Sequence, residues 1–181
     1  MFEARRALRI GLVGLCLALT ACAAAKPQTP SVLPPMPDRG TWLFRHKVRL
    51  EIPGARLSQG FDGVMRLDTA QRRARVAGVT GLGMQLFDME ISAESAELAY
   101  LHPLLARMPR AGEHIARCVR RVWFDCLARI PLEPSISHDD WNFSATGGLA
   151  DDLWPVEMTY VDAKIPYTVQ IRLVQAEKDE P

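Results

Sequence analysis

Ser137-His138-Asp139-Asp140 sets an imidazole and two carboxylates within four residues, the side-chain types that hold a metal ion or move a proton. Neighbouring residues rarely all face one ion, and a polar loop accounts for this run more simply. Glu113-His114 is a second acid and imidazole pair, but a glutamate at a helix start is already favoured by the positive end of the helix. His46 falls in register with apolar residues, which suits a hydrogen-bonded core or cavity histidine better than a base. No Gly-x-Ser-x-Gly elbow, phosphate loop, His-Glu-x-x-His helix or dinucleotide fingerprint occurs in the sequence. No catalytic set, metal site or cofactor is therefore expected, and the chain reads as a non-enzyme.

Cys22 is different, because the residues before it have an order of their own. Arg5, Arg6 and Arg9 are followed by an uncharged run from Ile10 to Leu19, and Thr20-Ala21 then leads to the cysteine. This is the layout of a signal peptide, and the run is too short to span a bilayer. Leu19-Thr20-Ala21-Cys22 resembles the cleavage site of bacterial lipoproteins. The resemblance implies removal of residues 1–21, attachment of diacylglyceryl to the Cys22 sulfur, and acylation of the new amino terminus, with palmitate as a label for it. Ala23, rather than an aspartate, follows the cysteine, which by the same resemblance implies sorting to the outer membrane of a two-membrane bacterium, facing the periplasm. Two or three chains on one residue would anchor the protein stably without a transmembrane helix.

The mature chain would keep 160 of the 181 residues, enough for one domain with a real core plus a tether. The whole sequence carries a formal charge of +1 and the mature part about −1, so no basic surplus points to nucleic acid. Hydrophobic residues at 48% with no fixed repeat favour a globular domain over a solenoid. Residues 22–40, with five prolines, read as a semi-rigid tether, 41–176 as a single β-rich domain, and 177–181 as a disordered end.

Within that domain the hydrophobic alternation is mostly of period two. Phe44, His46, Val48, Leu50 and Ile52 share one face of a strand whose other face is Arg45, Lys47, Arg49 and Glu51. Residues 60–67 form a second strand with Phe61 and Met65 together. Residues 73–92 read as a strand, a Gly81-Leu82-Gly83 connection with Leu82 at its tip, and a strand holding Phe87, Met89 and Ile91. One long bent strand with the glycines at a bulge is the alternative. Residues 96–102 suit a short strand or a helix. Residues 113–130 form the one clear amphipathic helix, with Ile115, Cys118, Val119, Val122, Trp123, Cys126, Leu127 and Ile130 on one face and Arg117, Arg120, Arg121 and Arg129 on the other, a solvated face by default. On such a helix Cys118 and Cys126 are about 12 Å apart, beyond the roughly 7 Å that a disulfide tolerates, so they are expected to be unbonded and buried. Residues 132–152 read as a long irregular crossing, and residues 156–160 and 167–174 as a closing strand pair.

A lipidated cysteine, antiparallel strands up to a Gly-Leu-Gly connection, a helical interlude and a closing strand pair near Trp154-Pro155 together resemble the LolA/LolB-like family of lipoprotein carriers and receptors, over about residues 42–174. That resemblance implies a curved antiparallel half-barrel covered by one or more helices, with an apolar cavity for acyl chains. It also matches Gly81, Leu82 and Gly83 to a protruding loop that engages cargo or membrane. Phe44, Val48, Phe61, Met65, Phe87, Met89, Val122 and Trp123 are the residues expected to line the cavity. The implied partners are the membrane, through Cys22, and lipids, lipoproteins or a periplasmic carrier. An envelope-assembly lipoprotein that binds protein partners is the alternative, and a periplasmic enzyme ranks last.

Overall fold

The computed structural model describes residues 39–53, 57–127, 134–148 and 154–179. Cys22, the segment before it and most of the proline-rich tether lie outside the described residues.

The described residues form an open, wholly antiparallel nine-stranded sheet with short helices. Its strands are β1 (Thr41–Ile52), β2 (Leu57–Asp68), β3 (Arg73–Val79), β4 (Gln85–Ile91), β5 (Ala96–Leu101), β6 (Ser135–Ser137), β7 (Trp141–Thr146), β8 (Glu157–Asp162) and β9 (Tyr167–Lys178). They lie in the order β5-β4-β3-β2-β1-β9-β8-β7-β6, so each half is a meander and the first and last strands pair at the centre. On β1, Trp42, Phe44, His46 and Val48 are buried while Arg45, Lys47 and Arg49 are exposed, which is the alternation of a strand with one wet face. On that wet face Arg75 meets Asp88 at 3.0 Å and Arg73 meets Glu90; such exposed pairs add little to stability.

The inner face is covered by helical residues. Helix α1 (Pro103–Ala106) starts with proline at its first turn, and the His102 ring accepts the Leu104 N–H at 3.2 Å. Helix α2 (Ala111–Val119) runs on into a π-helical segment, Arg120–Cys126, in which the Leu127 N–H reaches the Val122 carbonyl at 3.1 Å. The wider turn alters the expected helical face: Phe124, five residues after Val119, is buried with Val122, Trp123 and Cys126. Two arginines of the expected solvated face are engaged from here. Arg120 donates to the Ser92 carbonyl at 2.7 Å, and the Arg121 guanidinium lies over the Trp141 ring at 5.2 Å.

Several expectations need correction. Residues 132–152 are not an irregular crossing throughout, because β6 and β7 pair as a hairpin; Trp141, Phe143 and Ala145 alternate with Asn142, Ser144 and Thr146, a strand pattern masked by small polar residues. Two readings are decided rather than corrected: residues 96–101 are a strand and not a helix, and the break between β3 and β4 is the expected connection and not the alternative bulge. Residues 177–179 are also more ordered than expected: Glu177 and Lys178 pair with Leu43 and Trp42, and Asp179 meets Arg66 at 2.6 Å, because the long central strand β1 needs an equally long partner; residues 180–181 lie outside the described residues. At the other end Arg39 and Gly40 belong to the domain, tied through hydrogen bonds to Thr69.

One end of the core is filled by aromatic rings. Phe44 packs on Trp123 at 4.8 Å and edge-on to Trp154 at 5.0 Å, and Trp42 meets Trp154 edge-on at 5.5 Å. Away from these rings, the sheet and its cover do not close.

Candidate functional site

A cavity of about 310 Å³ lies between the inner face of the sheet and the helical cover, within the size range of small-ligand sites. Four successive inward positions of β1 line it: His46, Val48, Leu50 and Ile52. At about 3.3 Å per residue they extend along roughly 20 Å of strand, so the space follows the inner face of β1 for half the strand's length. Neighbouring strands contribute Phe61 and Met65 from β2, Val76 from β3, Phe87 from β4, and Tyr167, Val169 and Ile171 from β9. The cover contributes Met108, Pro109, His114, Ile115, Cys118, Val119 and Trp123. Met65 and Trp123 are fully buried at the aromatic end, whereas Leu50, Ile52, Phe61 and Ile165 are only half-buried at the other. The cavity is therefore sealed by the aromatic cluster and approachable from the far end of β1.

Its floor depends on two glycines. Across four strands the register sets His46 opposite Gly63, Gly63 opposite Gly78, and Gly78 opposite Phe87. A Cβ on Gly63 would come within 2.2 Å of His46 Nε2, and one on Gly78 within 2.4 Å of Phe87 Cε1. Two rings thus recline over two bare glycines, which leaves the space above them open. Phe61 stands edge-on to Phe87 at 5.8 Å and completes that floor.

The polar groups around the cavity are few. Burial is the main influence on His46 and lowers its pKa to about 4, with Asp62 opposing weakly, so the imidazole is neutral at pH 7. Its Nδ1 is buried with no hydrogen-bond partner among the described residues. Burial pushes the Cys118 thiol up to about 12, away from nucleophilic use. Tyr160 and Tyr167 are likewise raised, first by burial and then by buried neighbours that include Asp162. Asp162 itself accepts from the Tyr160 hydroxyl at 3.2 Å, from the Lys164 and Ile165 N–H groups at 3.0 Å, and from Arg117 at 3.4 Å. It ties α2 to the β8–β9 turn that carries Ile165.

Val48, Phe61, Met65, Phe87 and Trp123 line the cavity as the sequence led us to expect. Phe44, Met89 and Val122 do not: they lie in the closed core, at 0%, 2% and 0% exposure, Phe44 against the Trp123 and Trp154 rings, Met89 near Gly112 of α2, and Val122 within the π-helical cover itself. Sequence reasoning missed Leu50, Ile52, Val169 and Ile171 as lining residues, although their alternation was visible; it weighed His114 only beside Glu113 at a helix start, and it missed Tyr167. Leu82 is 98% exposed at the tip of the β3–β4 connection. There Gly83 takes φ +80° and its N–H bonds to the Thr80 carbonyl at 2.8 Å.

Most members of the remaining sequence groupings have structural partners, although His114 Nδ1 is buried with no hydrogen-bond partner among the described residues. Ser137 pairs with Asn142 at 2.6 Å, His138 stacks on Trp141 at 4.4 Å, and Asp140 meets Lys164 at 2.5 Å. Glu113 pairs with Arg110 at 2.6 Å. Cys118 and Cys126 are both buried, and neither is in a disulfide. No protein-family model matches the chain, and no curated protein is significantly similar to it.

Proposed function

We propose that this protein is a binding lipoprotein that receives an acyl chain in the cavity beneath α2, as a LolA/LolB-like carrier or receptor would. The observation that carries the reading is the almost wholly apolar cavity, sealed at one end and approachable at the other. A core of this size normally closes, since an unfilled apolar space forfeits contacts along its whole lining. Here two glycines hold the floor open. The open antiparallel sheet with a helical cover is compatible with the half-barrel that this reading entails. The raised thiol and the neutral imidazole favour a container over a catalyst.

On this reading Cys22 carries the anchor at the periplasmic face of the outer membrane. Leu82, exposed between Gly81 and Gly83, touches membrane or cargo. Exposed Leu98, Tyr100 and Leu104 along edge strand β5 and the start of α1 favour, as a second reading, a protein partner at that edge. The test is titration of the delipidated protein with a fluorescent fatty-acyl probe. Saturable binding with transfer from the tryptophans, lost when Val48 is replaced by Trp to fill the cavity, supports the carrier. Absence of saturable binding refutes it.

A further inference from the structure

We propose that the cavity's ligand is an uncharged alkyl or acyl chain bearing a hydroxyl, and that this hydroxyl meets the imidazole of His46 at the sealed end. The proposal rests on the carrier reading and adds the chemistry of the cargo. His46 lines the cavity where Met65 and Trp123 close it, with its ring 6.3 Å from that of Trp123. It is only 6% exposed; its Nδ1 is enclosed, with no hydrogen-bond partner among the described residues, so a ligand in the cavity meets the ring at its Nε2 edge. An unpaired buried nitrogen is destabilising, and a packing role alone would be served better by an apolar ring. Gly63 nonetheless provides a seat for the imidazole, so this polar ring is accommodated rather than merely tolerated.

The charge state narrows the ligand. A neutral imidazole offers one N–H and one bare nitrogen, whichever tautomer it adopts. A hydroxyl both donates and accepts, so it complements either form. Among the described residues no aspartate, glutamate, lysine or arginine lines the cavity. Asp62, the charged neighbour that acts on His46, is exposed on the other face of the sheet. A carboxylate or ammonium brought to this end would therefore be buried without a counter-charge, at high cost. His114 and Tyr167 belong to the other end, since Tyr167 precedes Thr168, the partner of Glu51, roughly 20 Å of strand from His46.

The experiment uses the full-length chain carrying Cys22→Ala in detergent-free buffer, with a fluorescent fatty-acyl probe displaced by decanol, decane or decanoate. Decanol is expected to compete about tenfold better than decane, the scale of one net hydrogen bond, and better than decanoate. In His46→Phe and His46→Leu the advantage of decanol over decane, taken as a ratio within each variant, should fall to near one. Equal competition by decanol and decane in the unsubstituted protein overturns the proposal and leaves the carrier reading standing. So does decanoate as the tightest competitor, or a decanol preference that survives both substitutions. If no chain displaces the probe, the carrier reading falls with it. Should both His46 variants fail to fold, the ranking in the unsubstituted protein decides alone.

Discussion

Gly63→Ala is the smallest change that should close the cavity. The added methyl would stand 2.2 Å from His46 Nε2, 2.7 Å from Cδ2 and 2.9 Å from Cε1. Ordinary contact begins near 3.4 Å, so the imidazole must retreat by about 1.2 Å. The sheet lies beneath it and the packed aromatic cluster beside it, which leaves the cavity as the direction of movement. Forced repacking of this kind costs about 1–3 kcal/mol, a fall in Tm of several degrees for a domain of this size. The displaced ring would exclude one or two methylenes of a bound chain, at about 0.8 kcal/mol each, which weakens acyl-probe binding roughly four- to fifteenfold. His46→Ala combined with Gly63→Ala removes the clash and should restore binding, so a double-mutant cycle isolates the contact. Probe titration and thermal melting on the four proteins give both quantities. Unchanged affinity in Gly63→Ala alongside the expected loss of stability would falsify the claim that the glycine row holds the cavity open.

Acid should destabilise the domain through His46: its pKa is lowered in the folded state, so above pH 6.5 both states are neutral and the group contributes nothing. As pH falls from 6.5 toward 4 the unfolded chain takes up the proton first, and about 3 kcal/mol of stability is lost. Urea titrations across that range should show this loss, and His46→Phe should flatten it; an unchanged slope in the variant means that another group is responsible. Leu82→Glu should leave stability within about 0.5 kcal/mol, since a side chain 98% exposed makes no packing to lose, while weakening association with lipid vesicles; a large fall in Tm contradicts the loop assignment. Cys22→Ala should abolish incorporation of labelled palmitate and release the protein from outer-membrane fractions, and label on the variant would disprove the lipidation site.

The strands were legible wherever one face is wet. The Arg45, Lys47 and Arg49 alternation specified β1 and the inward set of His46, Val48, Leu50 and Ile52, because charge on every second residue leaves only one register for burial. The Leu82 connection was legible for a related reason: two glycines between two alternating runs favour a turn over a bulge. β6 and β7 were not, since Ser, Asn and Thr on the outer face resemble loop composition. The separation of lining residues from closed core was also hidden. Phe44 and Val48 share a face and a period, and only the aromatic rings that arrive from Trp123 and Trp154 determine which of the two faces empty space. The glycine row was hidden more deeply. Gly63 and Gly78 acquire meaning only from the register that sets them between His46 and Phe87, and no local pattern encodes that pairing. The π-helical turn that buries Phe124 is likewise a tertiary effect, the helix widening to suit the core it covers.

Native mass spectrometry of the full-length chain carrying Cys22→Ala, purified without detergent, tests the central claim most directly. The account predicts a population with one non-covalently held chain lipid per polypeptide, released on denaturation and regained when the stripped protein meets a fatty alcohol. A Val48→Trp companion should carry none. A bare polypeptide mass that stays bare at saturating lipid, in a protein that remains folded, would contradict it.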